Sequence, residues 1–309
     1  MSDTYRGGGG SAAAITQEAD ALAYAVARMP ATYAATAAVF AEVQARSPDF
    51  KPASLLDAGC GPGGGGWAAL AAWPSLAKVS AVDESATFLD LAASLWASGP
   101  KALAAATRHR GDLRRADLPR ADLVLASYAL AEIPPADLAA VAARLWEACD
   151  GLLALVEPGT PAGFQRLAKV RTSLIAAGGR ILAPCPHEGA CPLAEDPTPG
   201  FPGWCHFSIR LPRRRDHRLA KAADAPFEDE PFAYLLAARP GLVGAAAQAR
   251  VLARPQVAKP GVTLRLCTPA GLELHTVPRR DKAGYAVARR LGWGDNLDRP
   301  RLPASSRDR

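Results

Sequence analysis

The sequence predicts an α/β fold, a Rossmann-like and mostly parallel sheet with crossover helices. Three observations carry that expectation. Short apolar runs alternate with helix-length segments between residues 53 and 177, and strands separated by helices build parallel sheets. A glycine-rich turn, Asp57-Ala-Gly59-Cys-Gly61-Pro-Gly63, directly follows the first of those runs. An acid, Asp83, ends the second. In doubly wound sheets ligands bind beyond the carboxyl ends of the strands, where these residues fall.

The elements follow in order. Residues 1–11 are Gly-rich, and a disordered start is expected. Residues 15–46 read as two helices, broken at Met29-Pro30 because proline disfavours helix in the residue before it. Residues 53–57 form the first strand, and 67–73 a helix beyond the glycine turn. Strand 79–82 pairs with helix 88–97, and 108–112 is a short third strand. Strand 123–128 precedes helix 135–148, and strand 152–157 precedes helix 163–177. After Gly179 the period is lost, and residues 182–215 are dense in Pro, Cys, His and Gly. Strands over 207–211 and 232–238 would close the sheet. Two further β-like runs, 261–267 and 272–277, precede a helix over 285–291 and a polar tail. The expected organisation has four parts: a disordered start with helices over 1–50, a ligand-binding α/β domain over 51–181 and 207–245, a Cys-rich metal-binding insertion over 182–206, and a basic β-containing extension over 246–309.

Charge is unevenly placed. The 309 residues carry a net charge of +6. Residues 1–207 hold 16 Lys/Arg against 20 Asp/Glu, and residues 208–309 hold 20 against 10, so the two parts are net −4 and +10. A basic last third points to a polyanion such as RNA, or to a solvated basic face. No apolar run reaches the roughly 20 residues that span a bilayer, so no membrane partner is expected. The start lacks both a secretory and an Arg-rich transit pattern, which leads to the expectation of a cytoplasmic protein, monomeric when free. In a reducing compartment its six Cys would be ligands or buried thiols rather than disulfides.

The glycine turn admits two ligand classes. Gly59, Gly61 and Gly64 satisfy the G-x-G-x-x-G of dinucleotide sites. Asp57, Gly59, Gly61 and Gly63 satisfy the longer D-x-G-x-G-x-G of S-adenosylmethionine sites. Asp83 is placed to accept ribose hydroxyls. Asp112 stands where such folds put a group near the adenine, and Ser127 at the edge of the substrate pocket. No residue is assigned as a catalytic base; Tyr128 and Glu132 stand nearby, equally readable as structural groups.

Cys185, Cys191 and Cys205 fall within 21 residues, and Cys267 is a fourth, in the pattern C-x5-C-x13-C-x61-C. Four thiolates suit zinc or an iron–sulfur cluster, and buried free thiols are the plain alternative. His187 and His206 are possible substitute ligands, whereas Cys60 and Cys149 read as core thiols. Downstream, Arg210, Arg213, Arg214, Arg215, Arg218 and Lys221 crowd twelve residues. Arg213, Arg214, Arg215, Arg218 and Lys221 are the expected RNA-binding set, with a second cluster at Arg279, Arg280, Lys282, Arg289 and Arg290. Trp204, Phe207 and Trp293 lie near these charges and would stack on unpaired bases, or serve as core.

Several blocks of the chain resemble one family, the mitochondrial small-ribosomal-subunit methyltransferase-like proteins and their bacterial relatives. They are residues 56–63 with Trp67, 127–134, 156–164, 183–192 with its Cys-Pro-His, Trp-Cys-His-Phe at 204–207, 227–234, and 292–295. The resemblance implies a seven-stranded class I methyltransferase sheet that binds S-adenosylmethionine. It implies a [4Fe-4S] cluster on Cys185, Cys191, Cys205 and Cys267, with zinc as the alternative. It implies work on small-subunit ribosomal RNA, as an RNA methyltransferase or as a non-catalytic assembly factor. A small-molecule methyltransferase with a structural zinc is a third possibility, opposed by the basic last third.

Overall fold

A computed structural model of the chain describes residues 17–195, 198–242, 244 and 247–297. The expected disordered start and the polar tail lie outside the described residues. Helices Glu18–Ala27 (α1) and Met29–Arg46 (α2) form the N-terminal pair, and the chain turns at Arg28. Pro30 sits in the first turn of α2, where its missing N–H has no intrahelical partner to lose. Helix α2 buries Ala31, Ala35, Val39, Phe40 and Val43. Phe40 packs edge-on against Trp73, with ring centroids 4.9 Å apart.

The α/β unit then alternates as expected: Ser54–Ala58 (β1), Gly64–Ala72 (α3), Lys78–Asp83 (β2), Ala86–Ala97 (α4), Lys101–Ala104 (α5), Thr107–Arg110 (β3) and Ala121–Ser127 (β4). A single 3-10 turn, Leu130–Glu132, leads to Leu138–Glu147 (α6), Cys149–Pro158 (β5), Pro161–Ala176 (α7) and Arg180–Ala183 (β6). Pro192–Glu195 (α8), Phe207–Pro212 (β7), Arg215–Ala220 (α9) and Phe227–Ala238 (β8) complete it. The sheet order is β3-β2-β1-β4-β5-β8-β6. Strands β1 to β5 pair in parallel, and β8 runs antiparallel between β5 and β6. The order reverses between β1 and β4, and such a switch point opens a crevice for a ligand.

Three expectations need correction. Among the described residues the sheet has eight strands rather than seven, because Arg180–Ala183 (β6), where no strand was expected, pairs antiparallel with β8. Strand β8 begins at Phe227, five residues before the expected start, since each acid of the polar run Glu228-Asp229-Glu230 finds a basic partner: Arg213 and Lys221 for Glu228, Arg210 of β7 for Asp229, and Arg28 for Glu230. Helix α3 begins at Gly64, not at residue 67. Its glycines are tolerated because a Cβ at Gly66 would fall 2.9 Å from both Leu103 and Trp96.

The extension is a second, five-stranded sheet. Its strands are Ala249–Val251 (β9), Gln256–Val257 (β10), Gly261–Thr268 (β11), Gly271–Pro278 (β12) and Asn296–Leu297 (β13), with helix Lys282–Ala288 (α10). It has its own core of Val251, Val262, Leu264, Leu266, Val277, Ala288 and Leu297. The Cys-rich stretch does not stand apart. Leu193 of α8 packs with Phe164 of α7, Leu252 and Cys267, so this stretch fills the seam between the two sheets. Among the described residues no helix is long and apolar enough to cross a membrane.

Candidate functional site

The turn after β1 forms the floor of a cleft of about 390 Å³, lined by Asp57, Gly59, Cys60, Gly61, Pro62, Gly64, Gly65 and Ser127. Gly59, Gly61 and Gly63 all have positive φ, at 74°, 51° and 87°, a region that side chains with a Cβ rarely enter. A Cβ at Gly61 would meet nothing within 4 Å, so that backbone faces open cleft. A Cβ at Gly63 would lie 2.6 Å from the Trp96 ring, whose indole N–H donates to the Gly63 carbonyl at 3.1 Å. Gly63 therefore holds the turn to α4 and is not in the cleft lining.

Asp57 is 1% exposed, and among the described residues its Oδ2 has no hydrogen-bond partner. Burial, then the charge of Asp83, pushes its carboxyl up to about 7, against a backbone hydrogen bond from Gly66. Asp83 lies behind the turn. Its Oδ2 accepts from Gly61 N and its Oδ1 from Ser85 N, both at 2.8 Å, and burial pushes it up to about 6. It sets the turn's shape from below. The Ser127 hydroxyl is 2.9 Å from that of Thr36 on α2. Asp112 stands away from the cleft. Its carboxylate is taken by Arg114, with Nε 2.8 Å from Oδ2 and the backbone N 2.9 Å from Oδ1.

At the tip of β4, Tyr128 adopts φ 60°, an uncommon conformation for a bulky residue. Its hydroxyl donates to Glu230 Oε1 at 2.8 Å, and Arg28 grips both oxygens of Glu230 at 3.0 and 3.2 Å. The junction of α1 and α2 is thereby tied to β8 across the expected substrate edge.

The second site is a cavity of about 610 Å³ at the seam between the sheets. Cys185, Cys191, Cys205 and Cys267 all line it, with His187, Arg171 and Arg250. Cys185 follows β6, Cys191 directly precedes α8, Cys205 lies two residues before β7, and Cys267 stands in β11. All four are free thiols. Burial pushes Cys205 well up and Cys267 up to about 12, and the other thiols' charges add to both shifts. His187 Nε2 is 3.6 Å from Cys267 Sγ. His206 is packed between Trp204 and Trp293, with centroids 4.9 and 4.7 Å away, and is not among the lining residues. Among the described residues no three His, Cys, Asp or Glu side chains group closely enough for one metal ion. Cys60 and Cys149 are buried elsewhere.

The basic run divides in two. Arg213 Nε is 3.2 Å from Glu228, Lys221 pairs with the same carboxylate, and His217 Nε2 is 3.3 Å from it. Arg210 is paired with Asp229 at 2.6 Å. Arg214, Arg215 and Arg218 remain exposed around α9, as do Arg279, Arg280, Lys282, Arg289 and Arg290 around α10. Of the two alternatives for the aromatics, Phe207 takes the core one. Phe207 is buried with Phe232 and Tyr234, and Trp204 donates its indole N–H to the Gly159 carbonyl at 2.9 Å.

A family model described as mitochondrial small ribosomal subunit Rsm22 matches residues 18–298. The chain belongs to this family. Among its relatives is the human mitochondrial ribosome assembly protein METTL17, 32% identical over 294 residues, which cover 89% of this chain and 62% of that protein. Another is the Rsm22-cox11 tandem protein 2 of Schizosaccharomyces pombe, 31% identical over 56% of this chain and 25% of that one. The chain thus spans less than two thirds of the length of these relatives. Among solved structures, a putative RNA methyltransferase from Pyrococcus horikoshii is 13% identical, with a TM-score of 0.40 over 62% of this chain and 75% of that one. A magnesium protoporphyrin IX methyltransferase from Synechocystis with bound SAH is 16% identical, with a TM-score of 0.44 over 68% and 83%.

In this Rsm22-family chain, sequence reasoning missed the other wall of the cleft. Tyr24, Met29, Thr32 and Thr36 of α1 and α2 line it. One signal was present. Thr32 and Thr36 are four residues apart in an Ala-rich helix, so they share one face and put two hydroxyls on an otherwise apolar surface.

Proposed function

We propose that this chain binds S-adenosylmethionine in the glycine-turn cleft and acts on the RNA of the small ribosomal subunit, with a [4Fe-4S] cluster on Cys185, Cys191, Cys205 and Cys267. The observation that carries the cofactor reading is Asp57. A buried carboxylate with an unpartnered oxygen calls for a cation or a donor. S-adenosylmethionine brings a sulfonium and an ammonium. The pyrophosphate of a dinucleotide would bring negative charge to a carboxylate that already lacks compensation. The open backbone face at Gly61 and the Ser127–Thr36 hydroxyls leave polar contacts for the rest of the ligand.

Calorimetric titration tests this reading, and its pH dependence tests Asp57. A carboxyl raised to about 7 is largely protonated at pH 6 and gains its charge as pH rises. Affinity for a cation should therefore rise with pH. From pH 6 to 7.5 the ionised fraction of such a group goes from about a tenth to about three quarters, a gain of roughly sevenfold in affinity. Asn at position 57 should flatten that dependence. Binding of NAD in place of S-adenosylmethionine would overturn the reading.

The ribosomal partner is supported by family membership, by the assembly role in the human relative's name, and by the exposed cations. Changing Arg214, Arg215 and Arg218 together to Ala should flatten the salt dependence of binding to small-subunit RNA. At about 0.7 per phosphate on single strands, three contacts amount to roughly two units of slope. Changing Arg213 and Lys221 should change the slope less than the triple variant does, because both are held against Glu228. An unchanged slope in the triple variant would reduce α9 to a solvated face.

The Tyr128–Glu230–Arg28 lock favours an assembly role over turnover. It commits the Tyr128 hydroxyl and the Glu230 carboxylate to each other and to Arg28. Transfer of a labelled methyl group onto immature small subunits separates the two readings.

The four-cysteine site fits a cluster better than a single ion. Zinc draws its thiolates to about 2.3 Å from one centre. Here the four cysteines line one cavity of about 610 Å³ at the seam. A cubane held by four thiolates needs that room, and when bound it would tie the seam between the two sheets together.

A further inference from the structure

Two arginines line the four-cysteine cavity, and they differ in what balances them. Arg250 of β9 is 2% exposed and stands opposite Cys267 in the β9–β11 register. Its three nitrogens are spoken for: Nε donates to the Pro184 carbonyl at 3.0 Å, Nη1 to the Gly294 carbonyl at 2.6 Å, and Nη2 to Glu42 at 2.7 Å. Glu42 thereby offsets its charge, sharing the same oxygen with Arg46 Nε at 3.0 Å. Arg171 of α7 is 5% exposed. Its Nη2 donates to the His187 carbonyl at 2.7 Å, two residues beyond Cys185. Its Nε is buried without a partner. Among the described residues no carboxylate is paired with it. Arg171 and Cys185 line the same cavity.

A buried, unbalanced cation with an idle N–H is costly unless something anionic sits beside it. Four thiolates on a cubane of core charge +2 leave a net charge of −2, and one added electron makes it −3. We propose that Arg171 is the charge-compensating residue of the four-cysteine site: its guanidinium donates into the sulfur shell and favours the more negative, reduced state of the cluster. This rests on the cluster reading above. Arg171 is a positioning and tuning residue, not a ligand. Arg250, with a carboxylate beside it and all three nitrogens engaged, anchors the Pro184 backbone instead.

The experiment is anaerobic potentiometry on the full chain, with dithionite as the electron donor and the signal of the one-electron-reduced cluster as readout. Iron is assayed on the same samples. Arg171→Gln removes the charge and keeps a donor for the His187 carbonyl, and Arg171→Lys keeps the charge. Arg180→Gln, at an exposed arginine paired with Glu188, is the control for distant charge. At the potential where wild type is half reduced, Arg171→Gln should show a tenfold lower ratio of reduced to oxidised cluster. For one electron that is a midpoint about 59 mV lower. Arg171→Lys and Arg180→Gln should stay within threefold of wild type. If Arg171→Gln loses iron while Arg171→Lys keeps it, the charge is needed to hold the cluster at all, which also supports the proposal. A midpoint unchanged in an iron-loaded Arg171→Gln overturns it. So does loss of iron from both variants, which would make Arg171 a packing residue. Wild-type protein without iron overturns the cluster reading itself, before any variant is compared.

Discussion

Serine in place of any one of Cys185, Cys191, Cys205 or Cys267 should take the protein from about four iron per chain to a small fraction of that, the stoichiometry being that of a cubane on four thiolates. The change removes one soft thiolate from a site with no spare ligand of the same kind. His187 is the nearest nitrogen donor, 3.6 Å from Cys267, and its carbonyl is already engaged by Arg171. Serine at Cys60 or Cys149 should leave iron unchanged. Cys60 belongs to the glycine turn and donates its thiol to the Gly61 carbonyl at 3.4 Å. Cys149 starts β5 in the core and is 0% exposed. Neither lines the seam cavity. The measurement is iron and sulfide analysis of protein purified without oxygen, with its absorbance spectrum. Colourless wild-type protein with one zinc per chain would sink the cluster reading and restore the structural zinc.

The contrast between these cysteines was legible in the sequence, because three of the four crowd one Pro-rich stretch. What was not legible is that the site is a seam. Cys267 reaches it because it packs with Phe164 and Leu193, a contact between residues far apart in the chain. The same limit explains the other misses. Arg213 and Lys221 look like free cations in a basic run. Strand pairing of β7 with β8, and α9 after it, bring both to Glu228. Asp112 looks like a ligand group from its place after the third strand, yet Arg114, two residues on, is in reach of its carboxylate. The parallel order of β1 to β5 was legible because each strand announces itself by local apolar runs and each connection by helical length. Strand β6 was not, since Arg180–Ala183 is only four residues long, and the first half of β8 was not, since Glu228-Asp229-Glu230 pairs through charge rather than through an apolar face. Asp57 and Asp83 were both legible as site residues. Only the fold shows that they divide the work, Asp57 lining the cleft and Asp83 propping Gly61 from behind.

The glycines of the turn make that division testable, because two substitutions of the same kind should fail in opposite ways. Alanine at Gly63 must hold a φ of 87° and place its methyl 2.6 Å from the Trp96 ring. The left-handed conformation costs about 1–2 kcal/mol, and overpacking against a buried ring costs about 1–3 kcal/mol more. Trp96 cannot swing away without leaving the Gly63 carbonyl that its indole N–H serves. Against a total stability of roughly 5–15 kcal/mol, that loss is large. Melting should fall by roughly 5–15 °C at about 2–4 °C per kcal/mol for a chain of this size. Alanine at Gly61 carries a similar backbone strain at φ 51°, but its methyl meets no protein atom within 4 Å. The fold should survive with a loss of about 1–2 kcal/mol. The methyl instead occupies the cleft where the cofactor would lie against the backbone. Wild type should gain about 2.7 kcal/mol from S-adenosylmethionine at a hundred times its dissociation constant. At that same concentration Gly61→Ala should gain almost nothing. Thermal melts of the three proteins with and without the cofactor read both effects. If Gly61→Ala is stabilised by S-adenosylmethionine as strongly as wild type, the ligand does not lie on this turn, and the cleft at the β1/β4 switch point is not its site.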